Sequence, residues 1–274
     1  MSKRNLGTME TDSQNMEEHP EKLSRSNAPV ASPTAINQLP TTSRQSTSNQ
    51  GSSGKAPSLQ VPTIKISCAE LDSVPEDEYG ENGFARIDIE QEIGGQFDTL
   101  KFLGFGAYAT IWLVKNRVDG KYEALKITKS NPDYEETVMR EVQFMNYMIK
   151  LGTHENIVEF LGFTEINVDR AIHQVLRFEV LGPNLDEVLQ SELKFHPDVL
   201  KNMIKQLLKA VEYIHRQHII HMDIKTENIM FAICDEDIQM MAIRSYASNN
   251  IYHLDLTSAD SKFTLKLADL DWQL

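Results

Sequence analysis

The chain has 274 residues, 41% of them hydrophobic, and its 27 Lys and Arg against 40 Asp and Glu give a net charge of −13. A hydrophobic share slightly below that of an ordinary globular chain predicts that part of it never packs, and the acidic balance argues against direct nucleic-acid binding, which needs Lys and Arg on phosphates. No apolar run approaches the ~20 residues of a membrane span, the N-terminus lacks the apolar stretch of a secretory leader, and the two cysteines, Cys68 and Cys234, read as free thiols.

Residues 1 to about 60 are rich in Ser, Thr, Asn, Gln and Pro, with almost no aromatic residues. Such a stretch cannot bury enough apolar area to offset the entropy of ordering, so residues 1–76 are expected to form a disordered tail. Acidic residues then crowd positions 70–98, which reads as a solvated linker. From Phe97 the pattern becomes regular. FDTLKFLGFGAYATIWLVKN predicts two strands around a glycine turn, with Ile111 and Leu113 on one face and Trp112 and Val114 on the other. KYEALKIT follows as a third strand after the Asp119-Gly120 hairpin signal. PDYEETVMREVQFMNYMIKLG predicts a helix, with Pro132 in its first turn, Gly152 as its stop, and Val138, Val142, Met145 and Ile149 as its apolar stripe.

IVEFLGF and HQVLRFEVLG supply two more strands. PDVLKNMIKQLLKAVEYIHRQ is the strongest helix, and its stripe of Val199, Leu200, Met203, Ile204, Leu207, Leu208, Val211 and Ile214 is wide enough to predict that it is mostly buried. A β-rich unit therefore precedes a helical one, joined near Gly182-Pro183. The expectation is an α+β chain of two lobes, 77–181 and 182–274, with a ligand site between them. Residues 232–262 carry no readable motif and are expected to be a surface loop.

Three strings carry chemistry. In Leu103-Gly104-Phe105-Gly106-Ala107-Tyr108-Ala109, glycines let the backbone approach a polyphosphate, although such a string by itself also suits an ordinary hairpin turn. Lys126 ends an apolar strand and would need a carboxylate partner, for which the next helix offers Glu141. His221-Met222-Asp223-Ile224-Lys225-Thr226-Glu227-Asn228 holds a carboxylate to orient a hydroxyl, an ammonium for a moving phosphate and an amide oxygen for Mg²⁺. Asp269, in LKLADLD, adds a second carboxylate at a strand end, and Mg²⁺ favours one or two such oxygens together with phosphate.

These strings resemble the protein-kinase signature set, a known template for phosphoryl transfer. They are most similar to the SR-protein kinases, which phosphorylate Ser/Thr hydroxyls of arginine-serine-rich splicing factors. Glu78-Tyr79, Gly83-Phe84, LGFGAYATIWLVKN, FEVLG, HMDIKTEN, LKLADLD and the insertion before Asp269 all fit. The resemblance implies a kinase-like two-lobed fold, ATP and Mg²⁺ as cofactors, protein substrates that include such splicing factors, and a place in the cytoplasm or nucleus. It implies that Asp223 is the catalytic base, Lys225 the γ-phosphate contact, and Lys126, held by Glu141, the α- and β-phosphate contact. Asn228 and Asp269 become the metal ligands. Leu103, Gly104, Gly106, Ile111, Ala124, Glu179, Leu181 and Met230 would surround the nucleotide, with Phe178 as gatekeeper and His221, Leu270 and Met145 stacked as a spine.

Three departures qualify this. Met222 stands where many kinases have Arg, a feature the SR-protein kinases share. Asp271 replaces a glycine, which alters the expected backbone freedom beside the metal site. The chain stops at Leu274, so the large lobe is expected to be incomplete. The alternative reading is therefore a kinase-derived, catalytically inactive nucleotide- or partner-binding protein.

Overall fold

The computed structural model describes residues 64–67, 73–246 and 249–269. Most of the expected tail, together with Cys68, Leu270 and Asp271, lies outside the described residues. In chain order the elements are β1 (Ile64–Ser67), β2 (Glu92–Ile93), β3 (Phe97–Phe105), β4 (Ala109–Asn116), β5 (Tyr122–Thr128), α1 (Glu135–Leu151), β6 (Phe160–Val168), β7 (Ala171–Phe178), β8 (Leu181–Asn184), α2 (Leu185–Gln190), α3 (Pro197–Arg216), β9 (Ile229–Ala232), α4 (Asp235–Ile243), β10 (Asn249–Tyr252) and β11 (Leu265–Leu267). No helix among these is long and apolar enough to cross a membrane.

Strands β2 to β7 form a six-stranded antiparallel sheet in the order β2-β3-β4-β5-β7-β6. Gly120 makes the β4–β5 turn at φ 74°, a conformation that costs glycine little. Alternation along the strands then sorts the side chains. Trp112, Val114, Leu125, Ile127 and Val175 share one apolar cluster, whereas Leu113 and Leu176 belong to the other, with Val138, Val142 and Met145 of α1. The buried face of α1 also takes in Phe144 and Met148. Ile149, expected in the stripe, instead faces solvent.

The acidic stretch is not a solvated linker. Phe84, Ala85, Ile87 and Ile93 are all buried, and Ala85, Ile87 and Ile93 belong to the sheet-face cluster that excludes α1. Acidic residues before and among these anchors meet basic partners: Glu76 meets Arg86, Glu78 meets Lys129 at 2.7 Å, and Glu92 meets Arg117. A sequence scan sees the charges, but the sparse apolar residues among them decide where the segment lies. Within the expected tail, Ile64–Ser67 also has regular structure, because the alternating IKIS pairs antiparallel with β10.

At Leu181 the chain leaves the large sheet for a second one, ordered β11-β9-β8. Gly182 is required there, since a Cβ would sit 2.3 Å from a methyl carbon of Ile233. Asn184 and Glu187 form a reciprocal cap that starts α2. Helix α3 buries Val199, Met203, Gln206, Ala210 and Ile214, but Leu200, Ile204 and Leu208 from its predicted stripe are exposed. Among the described residues the stripe is wider than the surface that covers it. The segment 232–262 is likewise not an irregular loop, because it contains α4 and β10.

One buried amide pair fixes the strand that leads to Asp269. Gln206 Oε1 accepts from Leu265 N (2.8 Å) and from Asn156 Nδ2 (3.0 Å), while its Nε2 donates to Phe263 O (3.1 Å). Asn156 Nδ2 also donates to Leu265 O (2.8 Å), and Leu267 N to Asn156 O (2.9 Å). The Gln206→Leu variant leaves several of these groups buried without partners, at a cost on the order of 3 kcal/mol. For a folded unit of this size that is a fall in Tm of roughly 6–12 °C, measurable by thermal unfolding of the full chain.

Candidate active site

The site is assembled from three places. Strand β5 supplies Lys126, whose register partner on β4 is Ile111. Helix α1 supplies Glu141. The 221–228 loop after α3 and the end of β11 supply the rest. Lys126 is buried, and its Nζ lies 2.9 and 3.0 Å from the two Glu141 carboxylate oxygens and 3.3 Å from Asp269 Oδ1. Burial opposes the charge on Lys126. The facing Glu141, Tyr108 and Asp269 outweigh it and hold the ammonium above its ordinary pKa, so it is charged at any physiological pH.

The loop at 221–228 is set by a buried histidine. His221 is almost fully buried, and its Nε2 meets Ala268 O at 3.2 Å. Ala268 N returns a bond to Asn228 O at 2.9 Å, so this loop and the residue before Asp269 are tied directly together. Asn228 Nδ2 donates to Asp223 at both its carbonyl (2.9 Å) and Oδ2 (3.0 Å). Lys225 Nζ lies 2.8 Å from Asp223 Oδ2. That hydrogen bond holds the Asp223 carboxyl below the usual carboxylate range and raises the Lys225 ammonium in turn. Met222 and Asp269 both adopt left-handed backbone, φ 62° and 51°. For non-glycine residues this costs on the order of 1–3 kcal/mol each; Asn82, Glu90, Asp169, Arg170, Glu192 and His218 adopt the same conformation elsewhere.

The remaining expected residues are placed as follows. Gly104 has φ 147°, and a Cβ on Gly106 would meet nothing within 4 Å, so packing does not demand that glycine and the space before the turn stays open. Leu103, Ile111 and Ala124 are half-buried on β3, β4 and β5, and Met230 is half-buried on β9. Leu181 is buried and pairs with Ala232. The Glu179 side chain is already engaged, by Lys266 Nζ and Glu159 N at 2.6 Å each, so only its backbone faces the role expected of it. The structure thus joins Lys126, Glu141 and Asp269 directly, and Asp223, Lys225 and Asn228 directly. The Ala268 bonds link the two groups.

Sequence reasoning gave Tyr108 no role. Its ring lies 5.1 Å from Lys126 Nζ, its hydroxyl is 3.4 Å from Glu141 Oε2, and it stacks on Tyr134 at 5.5 Å. Burial raises its hydroxyl pKa. The available signal was an aromatic residue within a glycine-rich string. Chemically, the arrangement gathers a charged lysine with two carboxylates and a carboxylate–lysine–amide set, the two joined through Ala268.

The sequence pattern of the protein kinase domain matches residues 97–244. Serine/threonine-protein kinase spk-1 of Caenorhabditis elegans is 28% identical over 173 residues, which is 60% of this chain and 17% of that protein. SRSF protein kinase 3 of Homo sapiens is 28% identical over 172 residues, 60% of this chain and 30% of that protein. Protein kinase dsk1 of Schizosaccharomyces pombe is 32% identical over 145 residues, 50% of this chain and 26% of that protein. The chain therefore spans less than a third of the length of these relatives. The crystal structure of the PF14_0431 kinase domain superposes with a TM-score of 0.51 at 20% identity, over 68% of this chain and 53% of that one. Its sequence pattern spans more than half of the chain and its fold agrees, so the chain belongs to the protein kinase family.

Proposed function

We propose that this chain binds Mg-ATP and transfers its γ-phosphate to Ser or Thr hydroxyls of protein substrates. The observation that carries the proposal is the junction of Lys126–Glu141–Asp269 with Asp223–Lys225–Asn228 through Ala268. The donor set fits the cofactor: an open glycine turn, a charged lysine and two oxygen ligands suited to Mg²⁺. When bound, Mg-ATP supplies the transferable phosphoryl group and neutralises charge on its oxygens.

The chain's own residues do the positioning. Lys126, held by Glu141, contacts the α- and β-phosphates. Asn228 offers its amide oxygen and Asp269 its carboxylate to the metal. Asp223, kept ionised by Lys225, orients the substrate hydroxyl and accepts its proton, and Lys225 reaches the γ-phosphate. The finer assignment, to kinases of the SR-protein type acting on arginine-serine-rich splicing factors, rests on the motif resemblance and on relatives named as SRSF kinases.

A second reading, nucleotide binding without turnover, is favoured by one observation: Asp269 is engaged by Lys126, which competes with its role as a metal ligand. The two readings separate in one assay, with labelled Mg-ATP and a Ser-Arg repeat peptide incubated with the full chain. Transfer is expected, and Asp223→Asn should lower it by about 10²-fold or more. Equal transfer by that variant contradicts the assignment, and nucleotide binding with no transfer by the parent chain supports the second reading.

The Tyr108 ring lies 5.1 Å from the Lys126 ammonium and competes with phosphate for it. Its contacts are worth roughly 0.5–1.5 kcal/mol. Tyr108→Ala should therefore bind Mg-ATP about 3- to 10-fold more tightly by calorimetry.

A further inference from the structure

The segment between the 221–228 loop and Asp269 holds a cluster of ligating groups outside the site described above. Cys234 precedes the first residue of α4, Asp237 lies in the first turn of that helix, and His253 directly follows β10. The Cys234 sulfur, an Asp237 carboxylate oxygen and a His253 ring nitrogen all lie within 4.8 Å of one another. Asp237 is 1% exposed, whereas Cys234 and His253 reach the surface. The Asp237 carboxylate accepts from His253 N at 3.2 and 3.0 Å and lies 2.5 Å from His253 Nδ1. The same residue therefore fixes both the backbone and the ring of the histidine beside the carboxylate.

We propose that Cys234, Asp237 and His253 form a Zn²⁺ site that staples α4 to the end of β10. A thiolate, an imidazole and a carboxylate are the donors this ion takes, and three protein ligands leave a fourth position for water. Bond lengths of about 2.0–2.3 Å place tetrahedral ligands roughly 3.2–3.8 Å apart. The cluster reaches that spacing by a contraction of no more than about 1.5 Å and a slight opening of the short Asp237–His253 contact. Charge also closes. Zn²⁺ displaces the thiol proton of Cys234 to solvent and forms the Zn–S bond, so thiolate, carboxylate and neutral imidazole balance the ion.

The staple would have a mechanical consequence. The far end of α4 presents the Arg244 carbonyl to Lys101 Nζ at 3.0 Å, on the strand that leads into the glycine-rich turn. An ion at Cys234 would fix the opposite end of the same helix.

The test uses the full chain, stripped with chelator and dialysed. Titration with ZnCl₂ should give one site at micromolar affinity or tighter, and Co²⁺ loaded in its place should show a thiolate-to-cobalt absorption band. Cys234→Ser should remove the band, and both Cys234→Ser and His253→Asn should weaken Zn²⁺ by about tenfold or more. Both residues are exposed, so the fold should survive these changes, and Cys68→Ser should keep the band. Absence of binding, a cobalt spectrum without the thiolate band, or a Zn²⁺ affinity unchanged from the parent chain in either variant overturns the proposal.

Discussion

A buried ammonium cannot stand alone in a protein interior, and Lys126 organises this molecule through that constraint. Desolvation of such a charge costs several kcal/mol unless oppositely charged groups meet it at close range. Here Glu141 and Asp269 meet it at 2.9 and 3.3 Å, from a helix and from the end of a distant strand. One side chain thereby couples β5, α1 and the chain that follows β11. The Gln206–Asn156 network and the Ala268 bonds hold that last segment in reach, so polar groups in the core place the site as much as apolar packing does.

The second constraint is the strained loop. Met222 and Asp269 keep left-handed backbone because their neighbours are over-determined: His221 is buried and bonded, and Ala268 bonds the loop on both its donor and acceptor sides. Beside these positions Asp223 meets Asn228 and Lys225, and Asp269 meets Lys126. Sequence-local rules would not place a methionine in that region, whereas an aspartate enters it more readily than most residues.

Much of the site was legible in the sequence, because its residues occur as short strings whose spacing is dictated by one loop or strand end. Asp223, Lys225 and Asn228 lie within six residues, and Lys126 and Glu141 are brought together by the next strand-to-helix step. What escaped depended on distant partners. Gln206 looks like one more polar residue on α3 until Leu265 and Phe263 are set against it. Leu200, Ile204 and Leu208 read as core because periodicity reports which face is apolar and says nothing of whether a neighbour covers it. Phe84, Ala85 and Ile87 hid among acidic residues, and β10 pairs with Ile64–Ser67 across much of the chain. Tyr108 sat inside a string read for its glycines.

The central claim, that the Lys126–Glu141 pair is a coupled unit on which the site depends, is tested most directly by a double-mutant cycle on the full chain. Unfolding free energies would be compared for Lys126→Met, Glu141→Gln and the double variant. Each single change strands a buried charged or polar partner, so each should destabilise by about 3 kcal/mol, and the double variant should cost at least about 1.5 kcal/mol less than their sum. Additivity within about 0.5 kcal/mol would mean that the two side chains act independently, and would contradict the account.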